Sequence, residues 1–248
     1  MTSTTPQQRR AGLIVHVLTA SGAIAGFVAL QAAYNSNTRA ALVWLVVCQI
    51  LDGIDGPIAR KVDVATHAPH IDGHILDLVV DYVTCVMVPV VLILKEDLVP
   101  TPWRMVVAGG VCLSSALWFA RTDQETEDDW FNGFPAGWNI VVPTIMILGN
   151  SQPAAMIVIG LLAATQFTNV KFPHIVKARA LRPVTYTITT LYFSCFVYLS
   201  IRFPNGPDWA RAALVVLPIY LAFIVTWRTF FPHRKIYGAT IYLPRPSR

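Results

Sequence analysis

Apolar residues run along this chain in long blocks, separated by short polar stretches instead of alternating with them. Eight blocks lie near 12–33, 40–54, 75–94, 105–120, 137–148, 154–167, 184–201 and 210–227. As helices, runs of about 20 residues reach across a bilayer core of about 30 Å. A chain in lipid satisfies its own backbone hydrogen bonds, so helices are the predicted elements. The fifth and sixth blocks hold only roughly 12–14 apolar residues, short of a full crossing. Turn-forming stretches "YNSNT", "EDLVPTPW", "GNSQP" and "FPNGPD" separate the blocks. The pattern predicts an all-α integral membrane protein of about eight transmembrane helices, forming one domain over 1–248. A six-span arrangement, with two blocks not crossing, fits as well.

Composition narrows the picture. The chain is 54% hydrophobic and 13% charged, with mean hydropathy +0.53. A soluble domain carries about a quarter charged residues, so that class is excluded. The net charge of +5 comes with no basic tail, which leaves lipid phosphate and membrane orientation, not nucleic acid, as its use. With the N-terminus in the cytoplasm, eight spans leave only Arg39, Lys95, Arg104, Arg202 and Arg211 of the 19 basic residues outside. That bias predicts both termini inside. The first block is too long for a signal-peptide core and is expected to remain as a span. Cys48, Cys85, Cys112 and Cys195 all fall in apolar blocks without a CxxC pair and read as reduced thiols.

Four carboxylates interrupt this greasy background. Asp52 and Asp55 are three apart, Asp77 and Asp81 four apart. At those spacings each pair shares one helix face. Such carboxylates are costly in lipid and repel one another. A divalent cation with oxygen ligands, Mg²⁺ or Mn²⁺, relieves both problems and leaves positions for phosphate oxygens. Gly56 and Ala59 remove bulk beside them, and Arg60 adds a phosphate-matching fork.

The ordered set Asp52-x-x-Asp55-Gly56-x-x-Ala59-Arg60, then Gly73-x-x-x-Asp77-x-x-x-Asp81, resembles the signature of the CDP-alcohol phosphotransferase family. The resemblance implies a homodimeric integral membrane enzyme with a cytoplasmic site, moving a phosphatidyl-type group from a CDP-linked donor to an alcohol. It implies that Asp52, Asp55, Asp77 and Asp81 hold metal and that Asp81 is the general base. It also implies that Gly56, Ala59, Arg60, Gly73 and Thr19 contact the cytidine diphosphate. It places a catalytic core over roughly 12–202, with two C-terminal spans within 183–228.

Twelve residues, "KVDVATHAPHID", separate Arg60 from Gly73, more than the family's usual spacing. That length, with "VHVLTASGAIAGFVAL", "DDWFNGFPAGWN" and "KFPHIVKARALR", resembles the bacterial phosphatidylcholine synthase branch. The implied substrates are CDP-diacylglycerol and choline, the implied ion Mn²⁺ (or Mg²⁺), and the implied location the bacterial inner membrane. A serine or polyol acceptor remains the alternative. Choline is held by aromatic faces, for which Tyr82, Trp118 and Trp130 are candidates. Arg121, Lys177, Arg179 and Arg182 are candidates for lipid phosphate. His67, His70 and His74 match no zinc spacing. An ion-transport path would spread its polar residues along several spans, whereas these carboxylates gather at one end.

Overall fold

The computed structural model describes residues 4–126, 129–174, 182–231, 235–236 and 239–240. Each of the eight apolar blocks lies on a helix. Helix α1 (Pro6–Tyr34) starts before its apolar block, because Thr5 and Gln8 form a reciprocal capping box and Pro6 opens the first turn. Asn37 caps α2 (Thr38–Val62), its side chain accepting from the Ala40 N–H. The apolar block ends at 54, yet α2 continues two turns further through Pro57 to an Asp63 cap with φ of 53°. The whole Asp52–Arg60 stretch is therefore helical. Pro57 has no N–H to offer the carbonyl of Gly53, one turn before it.

A single short turn, α3 (Val64–His67), fills the connection. Asp72 then accepts from the N–H groups of His74 and Ile75 at 3.0 and 3.1 Å and opens α4 (Gly73–Asp81). A π-helical turn over Tyr82–Met87 joins α4 to α5 (Val88–Lys95). It precedes Pro89, which cannot donate to the carbonyl of Cys85, so the regular ladder is already broken there.

Helix α1 is the brace for this half, packing on α2, α4 and α5. The close approach depends on two glycines. A Cβ on Gly22 would lie 2.8 Å from Val80, and one on Gly26 would lie 2.9 Å from Thr84.

Three shorter helices follow: α6 (Arg104–Phe119), α7 (Trp138–Leu148) and α8 (Gln152–Thr165). At 1.5 Å per residue α7 and α8 span only about 17 and 21 Å, less than a bilayer core. Helix α7 packs inside the protein, with seven of its residues buried. Among the described residues five helices are long and apolar enough to cross: Pro6–Tyr34, Thr38–Val62, Gly73–Lys95, Pro183–Arg202 and Asp208–Phe230. The last two lie on α9 (Arg182–Arg202) and α10 (Asp208–Phe230). Large apolar side chains such as Ile14, Val17, Phe27, Met105 and Ile219 point outward, as lipid-facing surfaces of a multi-pass membrane protein do.

Two buried clusters hold the bundle. The larger joins α1, α2, α5, α6 and α7 through residues such as Ala33, Leu45, Leu92, Trp118 and Trp138. The other docks α9 and α10 onto α2 and α7 through Leu42, Ile147, Phe196 and Leu214. The mainly helical expectation holds, with two local additions among the described residues: β1 (Trp130–Asn132) pairs antiparallel with β2 (Lys171–Pro173), and β3 (Lys235–Ile236) with β4 (Ala239–Thr240). Gly133 follows β1 with φ of 78°, and a Cβ there would lie 2.6 Å from the Thr165 carbonyl oxygen. Only glycine meets both demands.

Candidate active site

Helices α2 and α4 both rest on α1, and the fold brings three of the four carboxylates together. Oxygens of Asp52, Asp55 and Asp77 lie within 4.8 Å of one another, with Asp55 buried, Asp77 half-buried and Asp52 exposed. Asp81 stands outside this group, one turn further along α4. Its carboxylate faces the Cys85 thiol at 3.9 Å, the distance of a weak sulfur hydrogen bond.

Among the described residues no lysine or arginine pairs with the cluster; Arg104–Asp97 and Arg121–Asp123 are ion pairs elsewhere. Opposite ligands on an octahedral Mg²⁺ stand about 4.2 Å apart, twice a metal–oxygen distance of about 2.1 Å. Adjacent ligands stand about 3 Å apart, so the three carboxylates, within 4.8 Å of one another, would draw inward to hold one ion. An all-oxygen, anionic and uncompensated donor set fits a hard divalent ion.

Beside the cluster opens a cavity of about 770 Å³. Asp55, Gly56, Ala59 and Arg60 line it from α2, Gly73, His74 and Asp77 from α4, and Val15, His16 and Thr19 from α1. All five residues expected at the cytidine diphosphate, Gly56, Ala59, Arg60, Gly73 and Thr19, therefore share one cavity. The Arg60 guanidinium folds back over Gly56, where a Cβ would lie 3.3 Å from Nη1. The 12-residue connection is also a wall of this space, through Asp63, Val64, Pro69, Ile71 and Asp72.

His16 is the lining residue the sequence reading passed over. It is buried in α1 and its Nε2 lies 3.3 Å from the Ala68 carbonyl oxygen. Its only local signal is a polar ring one turn before Thr19 on the same face of an apolar helix.

The remaining candidates lie elsewhere. Trp118 is 4% exposed and donates its indole N–H to the Asn132 carbonyl at 2.9 Å. Trp130 is 1% exposed, packed with Ile224 and Trp227 beneath the Arg228 guanidinium. Neither lines the cavity, and the faces of both are buried in the core. Tyr82 is half-buried and donates its hydroxyl to the Cys112 carbonyl at 3.1 Å.

Arg121 is likewise spent. A guanidinium has five N–H donors, and this one makes five bonds: two to Asp123, and one each to the Gln166 carbonyl, the Thr168 carbonyl and Asn169. These bonds staple the segment after α6 onto the segment after α8. The Arg121 guanidinium holds the Asp123 carboxyl below the usual range, and Asp123 in turn raises Arg121. Lys177 and Arg179 lie outside the described residues, and Arg182 is described only as the start of α9.

Known proteins share this arrangement of sequence. The chain is 34% identical to the phosphatidylcholine synthase of Rhizobium johnstonii and 35% identical to that of Rhizobium meliloti, each over 88% of this chain and 90% of the relative. It is 31% identical to the phosphatidylcholine synthase of Pseudomonas aeruginosa, over 92% of this chain and 95% of the relative. The CDP-alcohol phosphatidyltransferase family matches residues 13–170, which include most of α1, all of α2 and α4, and every residue of the carboxylate cluster. On that match and those identities, the chain belongs to the CDP-alcohol phosphatidyltransferase family.

Proposed function

We propose that this protein is a phosphatidylcholine synthase, transferring the phosphatidyl group of CDP-diacylglycerol to choline and releasing CMP. The observation that carries it is the name shared by relatives in several bacteria, each aligned over most of the chain. The cavity supports the chemistry, because Asp55 and Asp77 of the carboxylate cluster and the Arg60 guanidinium, unpaired among the described residues, line the same space.

Asp52, Asp55 and Asp77 would hold the divalent ion, Mn²⁺ or Mg²⁺. Once bound, the ion neutralises pyrophosphate charge and makes the phosphorus a better electrophile. Thr19, Gly56, Ala59 and Gly73 leave room for the nucleotide, and Arg60 offers its fork to a phosphate. Asp81, the carboxylate outside the cluster, serves as the general base that takes the choline hydroxyl proton, and also lends charge to the metal site. The choline oxygen then forms a bond to the β-phosphorus of the donor, the phosphoanhydride bond breaks, and CMP leaves. Tyr82, adjoining Asp81, is the aromatic proposed for the quaternary ammonium. Lys177, Arg179 and Arg182 are proposed to dock the donor's phosphates at the membrane surface. The protein works as a homodimer in the bacterial inner membrane, with both termini and the cavity facing the cytoplasm. The core over roughly 12–202 carries the chemistry.

Purified protein given CDP-diacylglycerol, a divalent ion and labelled choline, serine or inositol tests this. The expected result is CMP release and labelled lipid with choline alone. Lipid labelled from serine or inositol but not choline keeps the family chemistry and overturns the acceptor.

A further inference from the structure

The cavity holds one buried polar atom that the proposed chemistry has not used. His16 is 5% exposed, deep in the wall that α1 presents to the cavity. Its Nε2 lies 3.3 Å from the Ala68 carbonyl oxygen. A carbonyl only accepts, so Nε2 carries the proton and Nδ1 is left as an acceptor. Among the described residues no donor reaches Nδ1. The side of the ring bearing Cε1 and Nδ1 faces Gly73, where a Cβ would stand 3.4 Å from Cε1 and 3.9 Å from Nδ1. Any larger residue at position 73 would cover that edge.

An unpaired acceptor in a substrate cavity is costly unless the ligand satisfies it. Its position narrows the ligand group. The phosphates belong at the carboxylates, and Gly73 is one turn before Asp77 on α4, on the side toward the Ala68 connection. A nucleoside attached to phosphates at the carboxylates would extend along that side, past Gly73. Phosphate and carbonyl oxygens cannot donate to Nδ1, whereas the cytosine amino group and the ribose hydroxyls can. We infer that His16 is a specificity-determining residue, whose Nδ1 accepts a hydrogen bond from an N–H or O–H donor of the donor substrate's nucleoside. This rests on the proposed use of a CDP-linked donor. The same histidine tethers the 12-residue connection through Ala68, so that this longer segment and the nucleoside meet on one ring.

Two substitutions separate the two nitrogens. Asparagine places an oxygen near the Nδ1 position and cannot reach Ala68. Glutamine places its amide near the Nε2 position, keeping the tether and removing the acceptor. The experiment measures dissociation constants of CDP, UDP and 2′-deoxy-CDP for the purified full chain with Mg²⁺, for wild type, His16→Asn and His16→Gln. Ratios within one variant cancel general losses of folding or metal. Wild type is expected to favour CDP by about tenfold over UDP if the cytosine amine is the donor, or over 2′-deoxy-CDP if the 2′-hydroxyl is. His16→Gln is expected to bring that ratio close to one, and His16→Asn to retain most of it. Ratios unchanged in His16→Gln, or lost equally in both variants, overturn the inference. Wild-type protein that binds none of the three nucleotides overturns it together with the CDP-linked donor.

Discussion

Two regions of this protein carry polar and aromatic residues into an apolar chain, and they differ in whether those residues have partners. Around β1 and β2 the demands are met within the protein. Arg121 spends all five donors, the Trp118 indole N–H has the Asn132 carbonyl, and Trp130 is enclosed. Around the cavity they are not met. Among the described residues Asp52, Asp55 and Asp77 converge without a lysine or arginine partner, Arg60 lies over Gly56 without an acceptor, and the Nδ1 edge of His16 meets no donor. Residue types that look equally functional in sequence thus divide into a finished structural patch and a site that a ligand completes.

The largest effect expected is at the cluster. Asp55→Asn and Asp77→Asn should each lower CMP release by roughly 10²–10⁴-fold with choline, while the purified variants keep the wild-type melting profile. A turnover loss accompanied by an equal loss of folded protein would erase the distinction between the regions. Trp130→Ala should show the opposite pattern. It should destabilise the protein by about 3 kcal/mol through the cavity left in the core, with the choline KM of the folded fraction unchanged. A raised choline KM with unchanged stability would return Trp130 to the acceptor site.

The smallest effect comes from the Arg121–Asp123 pair. Asp123 is exposed, and the Arg121 guanidinium holds its carboxyl below the usual range. Its contribution is therefore present above the unfolded value of about 3.9 and lost as pH falls through the lower folded value. The melting difference between wild type and Asp123→Asn should be constant near neutrality and vanish on acidification below that range.

What could be read from the sequence follows the range of each interaction. The stripes of Asp52 with Asp55 and Asp77 with Asp81 rest on three- and four-residue spacings, so they were visible locally. The continuation of α2 to Val62 was harder to see, because the apolar block stops at 54 and Pro57 intervenes. Runs five and six showed their shortness, but not that α7 would be enclosed on all sides. Apart from Asp123, the partners of Arg121 and His16 come from 45 to 52 residues away in the chain. No local pattern announces that Arg121 is spent or that the Nδ1 of His16 is not. The "KVDVATHAPHID" stretch stood out by its length alone, and the fold makes it a cavity wall tied to α1 through Ala68.

Binding of Mn²⁺ followed by its electron paramagnetic resonance signal tests most directly whether the unpartnered carboxylates are the functional centre. Wild-type protein should quench the free-ion signal stoichiometrically. Asp55→Asn and Asp77→Asn should lose that binding, whereas Trp118→Phe and Asp123→Asn should keep it. Equal Mn²⁺ binding by wild type and the two cluster variants would contradict the account.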